Sequence, residues 1–237
     1  EKWYSEVFKT LPLDCVDIPV RVFEDSDWDV EDRTHIPEVD AHFVIDHKVL
    51  YPLMLAKYEN KRVLIFGPTG SGKTALNKLV AATIRQPYLR INGREDMQTD
   101  SLLGKPWVSG GEMHWEDGEW PKAVRKGYMI AFDEPWKCPP GVIMCLQRFF
   151  ERGGILQLDD KPGTLSDKQV KAHKHNFLVL CDNVIGLGDN QDRYGATMIQ
   201  DTSTINRMDL VLFQNYLEPH KELEMLLAKY SDINTKY

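Results

Sequence analysis

Apolar and polar positions divide the chain into short continuous runs and longer periodic ones. Val63 to Phe66, VLIF, is an unbroken apolar run of the kind a strand covered on both faces requires. After a glycine-rich turn, Ala75 to Ile84 places Leu76, Leu79, Val80 and Thr83 at helical spacing. Ile45 to Tyr58 also predicts a helix, with Val49, Leu50, Leu53 and Met54 on its apolar face and Pro52 as a flaw. Further strands are predicted at Tyr88–Asn92 (YLRIN), Tyr128–Glu134 (YMIAFDE), Phe177–Cys181 (FLVLC) and Leu210–Phe213. Gly141 to Arg152 reads as a helix with Val142, Cys145, Leu146 and Phe149 on one face, ended by Gly153-Gly154. From Leu217 the pattern is helical again.

The intervening segments are of different kinds. Within Asp100–Gly127 two short runs flank Gly110-Gly111 and predict a hairpin carrying Trp107, Trp115 and Trp120. Aromatic side chains there either grip a partner or pack inward, and the pattern leaves both open. Ile155–Leu158 begins a second hairpin, followed by a polar loop holding His173 and His175. Those histidines have no partners at recognisable metal-ligand spacing. Val184–Thr204 is glycine-rich and polar, as a long functional loop would be. Residues 1–40 read as irregular, and the acidic Glu24–Arg33 has no helical stripe. This segment is expected to wrap the core as a solvated arm, or to bind a partner.

The chemistry concentrates at strand ends. Gly67, Pro68, Thr69, Gly70, Ser71, Gly72, Lys73 and Thr74 match the P-loop pattern G-x-x-x-x-G-K-[ST], between a predicted strand and a predicted helix. Glycines let the backbone turn tightly and aim successive N–H groups at phosphate oxygens. The positive end of the following helix points to the same place. Lys73 is expected to reach the β- and γ-phosphates of ATP, and Thr74 to ligate Mg²⁺. About sixty residues later an apolar run ends in Asp133-Glu134, a Walker-B-like strand. Successive side chains at a strand end point in different directions. Asp133 is therefore assigned to the Mg²⁺ shell and Glu134 to the attacking water. Asn183, at the tip of another strand, is a candidate to hold that water, whereas Asp182 reads as a polar tip, a cap or a turn residue. Arg207 is a positive charge just before the final strand.

Composition narrows the classes. A chain of 237 residues with 42% apolar and 27% charged residues has room for one good core. Its net charge of −7 weighs against bulk nucleic-acid binding. No apolar run reaches membrane-spanning length, and the opening EKWYSEVFKT resembles no signal peptide. The first residue is not Met, as in a fragment. Cys15, Cys138, Cys145 and Cys181 are scattered, which suggests neither a zinc site nor a disulfide framework but reduced thiols in a cytoplasm.

Taken in order, the P-loop, a hairpin before Walker B, the FDE sequence, a second hairpin before an Asn-tipped strand, and an Arg before the last strand resemble the AAA+ ATPases. The two insertions are similar to those of the MoxR-type branch, which includes chelatase and metalloenzyme-activating ATPases. The segments VFEDSDWDVEDRTHIPEVDAHFVID and NVIGLGDNQDRYGATMIQDTSTINRMDLVLFQNYLEPHKE resemble the ATPase subunits of aerobic cobaltochelatases, the CobS type. The resemblance implies an α/β fold: a P-loop αβα sandwich on a parallel sheet, with hairpin insertions and the start of a helical lid. The corresponding division is an arm at 1–40, a nucleotide-binding core at 41–216 and lid at 217–237. It also implies that Asn183 is the first sensor and Arg207 an arginine finger. ATP and Mg²⁺, a homo-oligomeric hexameric ring, and a partner with a von Willebrand A-type domain belong to the same implication. Two positions depart from the family pattern: Asn206 stands where an acid usually precedes the Arg, and Pro135-Trp136 follow Glu134 where the subunit has an aromatic and an acid. The competing classes are a scaffold that binds nucleotide without turnover, a small-molecule kinase and a nucleic-acid translocase. Glu134 and Arg207 argue against the first, the two hairpins against the second, and the acidic charge against the third.

Overall fold

A computed structural model describes residues 1–151, 153–183 and 202–230. The first forty residues hold more structure than their pattern predicts. Strand β1 (Lys2–Trp3) pairs antiparallel with β2 (Pro19–Val20), and the short helix α1 (Tyr4–Phe8) lies between them. Tyr4, Phe8, Ile18 and Val20 are buried in one cluster with Val49, Leu53, Ile65 and Val80. Helix α2 (Val30–Arg33) is capped by Asp29, whose side chain accepts from the Asp32 amide at 2.7 Å. This segment runs along the sheet's amino end. The Phe23 amide donates to Ile84 O at 2.9 Å, Trp28 Nε1 to Arg85 O at 3.1 Å, and the Tyr88 amide to His35 O at 2.9 Å. The buried Asp32 carboxylate accepts from Lys126 Nζ at 2.5 Å and from the Tyr128 hydroxyl.

Helix α3 (His47–Tyr58) begins at an Asp46 cap and tolerates Pro52. Strand β3 (Val63–Phe66) leads through the glycine loop into α4 (Lys73–Ile84), two residues earlier than the apolar pattern indicated. Next come β4 (Tyr88–Asn92), α5 (Thr99–Leu103) and the hairpin of β5 (Gly104–Ser109) and β6 (Glu112–Asp117). Its turn residues Gly110 and Gly111 have φ of 62° and 83°, which glycine adopts without strain. Helix α6 (Glu119–Lys126), strand β7 (Met129–Asp133) and helix α7 (Pro140–Phe150) follow. The second hairpin pairs β8 (Ile155–Gln157) with β9 (Gln169–Lys171). Strand β10 (Phe177–Asp182), the turn of helix α8 (Thr202–Ile205), strand β11 (Leu210–Phe213) and helix α9 (Pro219–Lys229) complete the description.

Strands β3, β4, β7, β10 and β11 form one parallel sheet in the order β11-β3-β10-β7-β4. Every residue of β7 and β10 is buried, as strands covered on both faces must be. Alternation divides the core. Leu64, Ile130, Phe132, Leu178 and Leu180 face a layer with Trp120, Trp136 and Phe149, while Val63, Ile65, Met129 and Val179 face α3 and α4. This is the predicted αβα sandwich.

The three hairpin tryptophans separate. Trp120 belongs to α6, is fully buried and meets Phe132 edge-on at 5.3 Å, which corrects its assignment to the hairpin. Trp115 is half-buried against the core, its Nε1 donating to Asp117 at 2.7 Å. Trp107 is 46% exposed and stacked on His114, close to the exposed Val108 and Met113. The glycine-rich stretch predicted as a functional loop lies largely outside the described residues, and so do residues 231–237 of the predicted lid. Among the described residues no helix is long and apolar enough to cross a membrane.

Candidate functional site

The ladder registers bring four strand ends level. Asp182 lies beside Phe66, Cys181 beside Asp133, and Asp133 beside Asn92. Everything just past these positions faces one crevice at the carboxyl end of the sheet, where open α/β sheets bind ligands. The crevice is a cleft of about 700 Å³.

The glycine loop forms one wall. Gly67 has φ of 155°, and a Cβ there would meet Gln214 O at 1.9 Å, so only glycine fits. Gln214 clamps the loop from the neighbouring edge: its amide donates to Phe66 O and its Nε2 to Ser71 O, both at 2.8 Å. Gly72, at φ 88°, caps α4 and turns its first amides toward the cleft. Lys73 Nζ donates to Gly67 O at 2.7 Å, Pro68 O at 2.9 Å and Asn183 Oδ1 at 3.0 Å. Burial lowers the Lys73 pKa, opposed by the nearby Cys181, Asp182, Asp133 and Glu134. An amine so desolvated gains from an approaching anion.

Facing the loop, Asp133 Oδ2 accepts from Thr74 Oγ1 at 2.8 Å and from Arg90 Nε at 2.6 Å. Among the described residues, Asp133 Oδ1 is buried with no hydrogen-bond partner. Glu134 follows the strand, which stops at Asp133, one residue short of the predicted run, and has φ of 53°, an uncommon left-handed conformation for a residue with a side chain. Its Oε1 accepts from Asn183 Nδ2 at 3.3 Å and its Oε2 from Lys137 Nζ at 2.8 Å. Asp182 serves the backbone, accepting from the Asn183 amide at 2.7 Å and the Trp136 amide at 3.4 Å. That is the turn role its position allowed.

Lys73, Thr74, Asp133, Glu134 and Asn183 are thus gathered in one place. Arg207 is not among them. It precedes β11, whose first residue Leu210 pairs with Val63 at the start of β3, so it sits at the amino end of the sheet. There its Nε donates to Glu151 Oε1 at 3.2 Å. The sequence reading missed Arg90, Arg94 and Lys137, three cations that line the cleft. For Arg90 the available signal was a charge inside a strand pattern; for Lys137 it was the position three residues after Glu134. His173 and His175 lie elsewhere: His175 meets Phe23 edge-on, and burial pulls its pKa down to about 4.

A smaller cavity of about 110 Å³ adjoins the loop. Phe43, Val44, Val49, Leu76, Tyr216 and Met225 line it beside Gly70–Gly72. Tyr216 closes it by donating from its hydroxyl to Thr69 O at 2.9 Å.

A model of the AAA domain, dynein-related subfamily, matches residues 62–208, which run from β3 through the cleft to the residues before β11. The chain belongs to the AAA+ ATPases. Its place is in the MoxR-type branch. It is 27% identical over 199 residues to the aerobic cobaltochelatase subunit CobS of Sinorhizobium sp, which covers 82% of this chain and 58% of that protein. It is 33% identical over 97 residues to NorQ of Paracoccus denitrificans, covering 41% of this chain and 36% of NorQ. The chain therefore spans only part of the length of these relatives. A crystal structure of a candidate ATPase from Cytophaga hutchinsonii superposes with a TM-score of 0.53 at 16% identity, over 86% of this chain and 55% of that one, and shares its fold.

Proposed function

We propose that this AAA+ ATPase hydrolyses ATP with Mg²⁺ in the cleft at the sheet's carboxyl end, as one unit of a ring that drives a partner protein. The observation that carries the reading is the convergence on one cleft of two hydrogen-bonded sets, Lys73 with Asn183 and Glu134, and Thr74 with Asp133.

In this reading Lys73 leaves the loop carbonyls for the β- and γ-phosphates, and the loop amides hold the remaining oxygens. The unpartnered Asp133 Oδ1 beside the Thr74 hydroxyl suits a hard cation that takes oxygen ligands. Thr74 and Asp133 would hold Mg²⁺, which when bound neutralises charge on the β- and γ-oxygens. Glu134 accepts the proton of the attacking water, and Asn183 orients that water. The smaller apolar cavity beside Gly70–Gly72 takes the base.

Arg207 acts on the neighbouring subunit's nucleotide, a role supported by its distance from its own cleft. A homo-hexamer provides that neighbour. The exposed Trp107, Val108 and Met113 on the first hairpin are the proposed partner contact, and a protein with a von Willebrand A-type domain is the partner class that the family resemblance suggests. Metal chelation is the specific task suggested by likeness to a cobaltochelatase subunit. The unpaired cysteines fit a cytoplasmic setting.

Glu134→Gln tests the hydrolytic reading. It should bind ATP normally and lose about 10²–10⁴ in turnover, because the amide cannot accept a proton. Normal hydrolysis with impaired binding would make Glu134 structural. A scaffold would show no turnover even in the wild type, and a translocase would be stimulated by single-stranded DNA.

A further inference from the structure

We propose that Lys137 is a positioning residue that aims the Glu134 carboxylate across the cleft. This inference rests on the reading of Glu134 as the proton acceptor. The Glu134 backbone is fixed: its amide donates to Cys181 O at 2.7 Å, and its carbonyl lies so close to Gly93 that a Cβ there would approach it to 2.1 Å. Its side chain is 37% exposed and takes its orientation, among the described residues, from one contact on each oxygen, Asn183 on Oε1 and Lys137 on Oε2. Two donors on the two oxygens set the plane of a carboxylate; one donor leaves it free to rotate.

Lys137 is held for this task by the turn that carries it. Pro135–Lys137 form one 3-10 turn, in which the Lys137 amide donates to Glu134 O at 3.0 Å. Pro135 is buried and Trp136 is completely buried in the core, so the next side chain emerges toward the cleft. The buried Pro135-Trp136 pair thus has a physical role: it anchors the lysine. Both partners of the Lys137–Glu134 pair are about one-third exposed, and such pairs add little to stability. Its effect is on geometry. Asn183 extends the arrangement by accepting from Lys73, which ties the carboxylate's orientation to the residue that meets the phosphates.

The test compares Lys137→Met and Lys137→Arg with the wild type in steady-state turnover and in calorimetric ATP titration. Lys137→Met should lower kcat by about 10- to 100-fold, as loss of alignment at a reacting group does, with KM and ATP affinity within about twofold and an unchanged melting temperature. Lys137→Arg should restore most of kcat, since a guanidinium keeps a charge-assisted bond to the carboxylate. An unchanged kcat in Lys137→Met overturns the inference. So does a loss of ATP affinity, which would make Lys137 a phosphate ligand, or failure of Arg to rescue. Glu134→Gln measured alongside separates the two readings. If it turns over normally, the Glu134 assignment fails; if it is inactive while Lys137→Met is normal, only the role of Lys137 fails.

Discussion

Arg207→Ala and Lys73→Ala should each be inactive alone and partly active together. Arg207 stands three residues before β11, and β11 itself spans four residues from the level of Val63 to that of Phe66. At a rise of about 3.3 Å per residue the strand alone separates Arg207 from its own P-loop by roughly 10–13 Å. In the proposed ring, Arg207 serves a neighbouring subunit's cleft instead of its own. Giving up the exposed Glu151 contact costs about 0–1 kcal/mol. An arginine finger contributes about 10³–10⁵ in rate, or roughly 4–7 kcal/mol of barrier. Arg207→Ala should therefore bind ATP and fail to hydrolyse it, whereas Lys73→Ala should fail at both. In a ring mixed at random from equal amounts, about a quarter of the sites combine an intact Lys73 with an intact Arg207 from the next subunit. The assay is phosphate release by full-length protein, with subunit exchange followed by fluorescence transfer. Recovery near a quarter of wild-type activity is the expected result. If subunits exchange and the mixture stays inactive, the trans assignment is refuted.

Three further outcomes follow from the packing. Trp107→Ala should leave the melting temperature nearly unchanged and lower partner-stimulated turnover; a large thermal loss would place Trp107 in the core. Trp115→Ala should destabilise toward the about 3–5 kcal/mol of a core tryptophan truncation, and a melting temperature equal to wild type would show that its core contact is dispensable. Tyr128→Phe removes one donor from the buried Asp32 carboxylate. It should cost about 1–3 kcal/mol, read in a chain of this size as roughly 2–4 °C per kcal/mol; an unchanged transition would mean that Lys126 alone satisfies Asp32.

The parts of the structure legible in the sequence are those set by short stretches. An apolar run names a buried strand whatever its neighbours, and the P-loop needs only its own glycines, lysine and threonine. The arm was not legible because α1 is a single turn that buries only Tyr4 and Phe8, and Phe23 and Trp28 are buried from outside any long element, which leaves too short a pattern for a period to show. Trp120 was placed in the hairpin because nothing local marks where α6 begins. The boundary is fixed at Gly118, where a Cβ would meet Leu102 O at 2.4 Å, a contact between residues sixteen positions apart. Arg90 was missed for a related reason. A charge in a strand pattern acquires a partner only once β4 is known to lie beside β7, with Asn92 level with Asp133. Asp133 likewise owes its surroundings to register, and the adjacent Glu134 to the left-handed turn that follows the strand. A one-residue slip of β7 against β10 would turn the Asp133 carboxylate to the other face of the sheet. Asp133 would then turn from Thr74. The pair DE can be read from the chain, but which carboxylate meets the threonine is decided by the ladder Cys181↔Asp133, between residues about fifty positions apart.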